Sequence, residues 1–259
     1  MEWYIIVLGC LISGALIGFT GGVLGIGGGL LAIPLLGLVF NMPQQAAQGT
    51  ALIMVLPAVL ITVRKYNQYA KIDLGAAAAG AAGSIVFTWL GARFALGVDP
   101  TLLRRVYAIF ILGIAIFYFH QSRPKTLHRR PASGPPRSAA DYHRGWFALV
   151  GVLAGSIGGI FGVGGSVVAV PFLTTFFRLP QTSAQALAMT TIIPGTCVAL
   201  LTYSAHGQAH WMQGIPLAMG SIFCIPYGVR LAYSMPEPRL KRIFSVMLLV
   251  IMFLLLMKA

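Results

Sequence analysis

The chain has 259 residues, of which 58% are hydrophobic and only 9% charged, against about a quarter charged in an ordinary soluble domain. A chain this apolar cannot cover a water-facing surface, which excludes a soluble globular fold and demands lipid as solvent. Its net charge of +13 lies in clusters between apolar runs, at 64–71, 93–105, 123–144 and 230–242, not on a stripe with interleaved aromatics, so nucleic acid is excluded as a partner.

Apolar runs occupy 3–40, 46–63, 74–91, 102–119, 146–177, 184–203, 212–230 and 240–257. A crossing helix needs about 20 residues, so most runs predict one crossing each. The first run has no basic residue before it and predicts a retained membrane helix, not a cleaved leader. It is too long for one crossing and is interrupted by Gly21, Gly22, Gly27, Gly28 and Gly29. Run 146–177 is interrupted in the same way by Gly158, Gly159, Gly164 and Gly165. Each predicts either two helices or a helix with a re-entrant half-helix pair. The polar stretch 120–145 carries six basic residues and four prolines and predicts a flexible linker between a first membrane unit, 1–119, and a second, 146–259.

The two units are copies. Shifted by 137 residues, 21–57 aligns with 158–194 without a gap, and fifteen of the 37 pairs are identical, among them Gly25/Gly162, Gly27/Gly164, Gly28/Gly165, Pro34/Pro171, Gln44/Gln181, Gln48/Gln185 and Pro57/Pro194. The offset persists at Tyr66/Tyr203, Ser84/Ser221, Arg93/Arg230 and Arg105/Arg242. Shared apolar composition scatters matches; it does not hold one register. A cytoplasmic linker puts loop 64–73 inside as well, and placing 230–242 inside keeps most basic residues there. That arrangement needs an odd number of crossings per unit. The expected fold class is therefore an all-α integral membrane protein, with two repeats in inverted orientation and about 8 to 10 membrane segments, including glycine-broken or re-entrant helices.

The segments GGVLGIGGGLLAIP (Gly21 to Pro34) and GGIFGVGGSVVAVP (Gly158 to Pro171) carry the functional expectation. Glycine-broken backbone is tolerated at membrane depth only where protein or water satisfies it. Half-helices starting after Gly28 and Gly165 would present backbone N–H groups and a partial positive charge to an anion. Glycines four apart, as at Gly14/Gly18 and Gly155/Gly159, equally signal close helix packing, and the two readings are compatible. Gln48 and Gln185 either join helices or contact substrate. Thr50, Thr190 and Thr191 are weaker candidates, because such hydroxyls bond their own helix. Arg93, Arg105, Arg230 and Arg242 flank helices, where interface anchoring explains them.

Other chemistries lack their parts. The acids Glu2, Asp73, Asp99, Asp141 and Glu237 all lie outside the spans, so no intramembrane carboxylate serves a proton relay or neutralises a cation. The five histidines sit in loops or at ends, and Cys10, Cys197 and Cys224 lie in apolar runs with no CxxC spacing, which predicts inert thiols and no metal or other cofactor. No dinucleotide or phosphate-loop pattern is completed.

The paired G-x-G-G-x-x-x-x-x-P segments at Gly25–Pro34 and Gly162–Pro171, each followed by a P-Q stretch at Pro43–Ala51 and Pro180–Ala188, resemble those of the TauE/SafE family of sulfite exporters and organosulfonate permeases. The resemblance covers nearly the whole chain outside the linker. It implies no enzyme but a transporter in the bacterial inner membrane, exporting a small anion such as sulfite, thiosulfate or an organosulfonate by alternating access. A passive anion channel, or a membrane assembly subunit or enzyme, is the alternative. Carried over by position, Gly25, Gly27, Gly28, Gly29, Gln48, Gly162, Gly164, Gly165, Ser166 and Gln185 would line the pathway. The halves differ where Ser166 replaces Gly29 and Thr174 replaces Gly37.

Overall fold

A computed structural model describes residues 3–25, 27–68, 72–122, 142–235, 245–250 and 253. The predicted linker lies almost wholly outside these residues, as does most of the last predicted run, of which 245–250 and 253 are helical. The described residues form an all-helical bundle: α1 (Trp3–Leu24), α2 (Gly29–Val39), α3 (Gln44–Asn67), α4 (Leu74–Leu96), α5 (Pro100–Ser122), α6 (Arg144–Phe161), α7 (Ser166–Thr175), α8 (Gln181–Ala205) and α9 (Trp211–Ser234). All but α2 and α7 are long and apolar enough to cross a membrane. Large apolar side chains face outward, among them Leu16, Ile109 and Phe223, as a lipid-facing surface requires.

The two long runs resolve into a full helix followed by a half-length one. The 22 residues of α1 reach about 33 Å and the 11 residues of α2 only about 16 Å. The 18 residues of α6 and the 10 of α7 repeat this pattern. Adding 137 to Leu24, Gly29, Gln44, Asn67, Leu74 and Leu96 gives 161, 166, 181, 204, 211 and 233. Each lies within one residue of the corresponding helix end in the second half.

Helix pairing is exchanged between the halves. The Cβ positions of Gly14, Gly18 and Gly22 abut the backbone of Leu217, Ser221 and Ile225, so α1 runs parallel to α9 with the backbones touching. Gly151, Gly155 and Gly159 abut Gly80, Ser84 and Thr88 in the same manner, so α6 runs parallel to α4. Without side chains at these positions, close approach gains dispersion contact that lipid cannot replace. The four-residue glycine spacing is thus a packing seam, and it ends where the helix breaks begin. At the centre α3 and α8 cross antiparallel: Gln48 at the start of α3 meets Tyr203 near the end of α8, while Ala58 and Tyr66 lie with Ala186 near its start.

Candidate functional site

Both glycine segments break the helix with left-handed backbone. Gly25, Gly27 and Gly28 have φ of 65°, 70° and 78°, and Gly162, Gly164 and Gly165 have 67°, 78° and 74°. An L side chain there costs about 1–2 kcal/mol, so glycine is required for the conformation itself. Gly162 closes α6 with its N–H donating to Gly158 O at 2.9 Å. Gly165 then opens α7 as an N-cap with no side-chain acceptor. The N–H groups of Val168 and Ala169 both donate to Gly165 O at 3.2 Å. Those of Ser166 and Val167 have no acceptor among the described residues, although both residues are buried. A buried helix N-terminus left in this state carries partial positive charge and unpaired N–H donors.

The two breaks meet. A Cβ on Gly29 would lie 3.3 Å from Val163 Cα and 3.5 Å from Gly162 O, and Gly27 and Gly164 face Val55 from 3.6 and 3.5 Å. Each glutamine reaches the break of the other half: a Cβ on Gly162 would lie 2.8 Å from Gln48 Cβ, and one on Gly25 would lie 2.7 Å from Gln185 Nε2. The candidates thus meet pairwise along the α3–α8 crossing, Gly25 with Gln185, Gly29 with Gly162 and Gly162 with Gln48, and the two glutamines approach different breaks. Gln48 is fully buried; its Oε1 accepts from the Tyr203 hydroxyl at 2.8 Å, a hydroxyl that also lies 3.1 Å from Gly159 O. Gln48 Nε2 and Ser166 Oγ are buried with no hydrogen-bond partner among the described residues.

The weaker candidates divide: Thr190 bonds its own helix as expected, whereas Thr50 joins two elements. Thr50 Oγ1 accepts from the His210 N–H at 3.0 Å, and Thr190 donates to Ala186 O within its own helix. Gln45, beside the candidates, joins helices by donating to Val98 O at 2.7 Å and Ala95 O at 3.3 Å. Arg93, Arg105 and Arg230 are exposed, and the Arg93 guanidinium stacks 5.3 Å from the Trp89 ring centroid, as an interface anchor does. Arg242 lies outside the described residues.

Sequence reasoning missed two features. Tyr203 surfaced only as a repeat match with Tyr66, yet it fixes Gln48. A small cavity of about 10 Å³ is lined by Ser84, Thr88, Gly155, Gly158, Gly164 and Thr196, among others. That is room for about one water. An oxyanion of four or more heavy atoms does not fit this cavity.

The chain is similar in sequence to curated transporters along most of its length. The description "Sulfite exporter TauE/SafE" matches residues 10–255. The chain belongs to the TauE/SafE family. This TauE/SafE protein is 26% identical over 226 residues to a "Probable membrane transporter protein" of Methanocaldococcus jannaschii, covering 83% of this chain and 80% of that one. It is 23% identical to one of Bacillus subtilis, covering 93% of both, and 24% identical to one of Xylella fastidiosa, covering 92% of this chain and 90% of that one. No solved structure matches it. Family and relatives alike make this TauE/SafE chain a multi-pass membrane transporter and point away from an enzyme.

Proposed function

We propose that this transporter exports a small oxyanion, such as sulfite, thiosulfate or an organosulfonate, across a bacterial inner membrane by alternating access, with the anion held between the two glycine breaks. The observation that carries the reading is the set of unsatisfied buried donors where α6 gives way to α7: the Ser166 and Val167 N–H groups, Ser166 Oγ and Gln48 Nε2. A buried donor without an acceptor costs about 1–3 kcal/mol. An oxyanion accepting from several of them removes that cost and offsets its own desolvation. The positive end of the α7 dipole adds to the attraction.

The inverted repeat belongs to the same proposal. It is supported by the parallel packing of α1 with α9 and of α6 with α4, and by the antiparallel crossing of α3 and α8. Halves that face opposite ways and share one central site are suited to rocking about it.

The test is uptake of labelled sulfite, thiosulfate and sulfoacetate into liposomes holding the purified protein. Saturable uptake accelerated by unlabelled anion inside marks a carrier. Gln48→Leu and Ser166→Ala should each raise the half-saturating concentration by about tenfold. Uptake that never saturates and ignores trans anion would identify a channel, and unchanged kinetics in both variants would remove the site from the glycine breaks.

A further inference from the structure

The cavity beside the second break differs in chemistry from the anion site, and we propose that it binds a sodium ion. Its hydroxyls come from α4 and α8. Ser84 Oγ donates to the carbonyls of Ala81 and Thr191 at 3.0 and 3.1 Å, and Thr196 Oγ1 donates to Ile192 O at 2.9 Å. With their protons turned to backbone carbonyls, both offer lone pairs to the cavity. Thr88 is 3% exposed and its hydroxyl makes no hydrogen bond among the described residues. Thr88 Oγ1 lies 3.1 Å from the Cβ position of Gly155 and 2.8 Å from that of Gly195, in the gap between α6 and α8. No Lys, Arg or His lines the space. An oxygen set of this kind suits a hard cation.

Position and size agree with the chemistry. Gly158, in the last turn of α6, lines the cavity, so the carbonyl end of α6, with its partial negative charge, borders it. A single broken helix therefore turns its negative end to one ligand and, across Gly162–Gly165, its positive end to the other. At about 10 Å³ the space takes one water-sized particle. A bare sodium ion is of that size and a sulfur oxyanion is not. No carboxylate lines the cavity; the hydroxyl lone pairs and the partial negative charge of the α6 carbonyl end would hold the ion, and an anion across the break would add to its stabilisation. That use in coupling rests on the proposed anion transport; the binding itself does not.

The other half has lost the counterpart. Under the 137-residue shift Thr88 becomes Ile225, Thr196 becomes Val59, Ala154 becomes Ile17 and Gly195 becomes Ala58; only Ser84 keeps its hydroxyl, as Ser221. Ile17, Val59 and Ile225 are all buried, filling with methyl groups the place where hydroxyls surround a void in the second half. One ion per chain follows.

The experiment is equilibrium binding of radioactive sodium to the detergent-solubilised full chain, with choline as the balancing cation and no anion other than gluconate present. Saturable binding displaced by excess sodium and not by choline is expected. Affinity should fall at least about tenfold in Thr88→Val and in Thr196→Val, as the loss of one ligand from a small site implies. It should return in Thr88→Ser, which keeps the hydroxyl, and be untouched in Ser221→Ala. Thr88→Ser also guards against a mere folding defect, since its elution on gel filtration can be matched to that of Thr88→Val. Absence of saturable binding in the unaltered protein, or full affinity in both valine variants, overturns the proposal and leaves the cavity to a water. Because no transported anion is present, sodium binding can hold while the anion assignment fails, and the reverse.

Discussion

Gly165 and Gly164 are adjacent, share left-handed backbone, and should nevertheless respond very differently to one added methyl group. At Gly164 the new Cβ would lie 3.3 Å from Ile192 Cδ1 and 3.5 Å from Val55 Cγ1, both ends of side chains that can yield. The cost is then the backbone strain alone, about 1–2 kcal/mol. At Gly165 the Cβ would run into the carbonyl oxygen of Ala154, with the carbonyl carbon 2.7 Å away, and α6 cannot move without opening its seam with α4. Overpacking against a fixed group adds about 1–3 kcal/mol to the strain. Gly28→Ala should be milder than Gly165→Ala, because its nearest neighbours are the side chains of Ile17 and Met54, at 2.9 and 3.1 Å. Gly113→Ala supplies the opposite control: it lies inside α5 with open space around it, so alanine gains about 0.5–1 kcal/mol of helix preference. At roughly 2–4 °C per kcal/mol for a chain near this size, thermal unfolding in detergent should rank the proteins clearly. Gly113→Ala should melt at or above the parent, Gly164→Ala about 2–8 °C below, and Gly165→Ala lowest of all or failing to accumulate. If Gly165→Ala melts with Gly113→Ala, the break between α6 and α7 is not built as described.

Function should follow bulk at the breaks: Gly27→Val and Gly164→Val abolish labelled-anion transport in liposomes while membrane insertion persists, and normal transport in both would end the site assignment. Tyr203→Phe removes the proton that Gln48 Oε1 accepts, leaving a buried acceptor short of a partner. A loss of about 1–3 kcal/mol is expected by thermal unfolding, and no loss would mean that Gln48 is held otherwise. Outside the membrane, the N–H groups of Leu102 and Thr101 donate to the Asp99 carboxylate and hold its pKa below the ordinary value. A pKa depressed on folding contributes stability above the unfolded value of about 3.9, and that contribution fades as pH falls. The melting difference between the parent and Asp99→Ala should accordingly narrow as pH drops from neutral through that value, and a difference independent of pH would count against the cap.

The sequence was most informative where the physics is local. Leu24 to Gly29 and Phe161 to Ser166 are legible as breaks because positive φ is a property of single residues, and glycine satisfies it at Gly25, Gly28, Gly162 and Gly165. The same segments left open whether each run is two crossings or a crossing and a half-helix. That was decided by α2 and α7 being 11 and 10 residues long, too short to span. The rival readings of the glycines both hold, at different positions. Gly14, Gly18 and Gly151 are seams because α9 and α4 lie against them, and nothing near them in sequence names those partners.

Composition and hydropathy are sums over nearby residues and the 137-residue register is a comparison of letters, so the chain alone determined that it lives in lipid, that 21–57 and 158–194 share one register, and where its helices break. The exchanged pairing of helices decided the rest. It set Gln48 against Gly162 and Gln185 against Gly25, brought Tyr203 to Gln48, and left Thr88 facing a void whose counterpart is filled by Ile17, Val59 and Ile225. Such juxtapositions join residues far apart in the chain, and their energy comes from shape and unsatisfied hydrogen bonds, which exist only once the chain is packed.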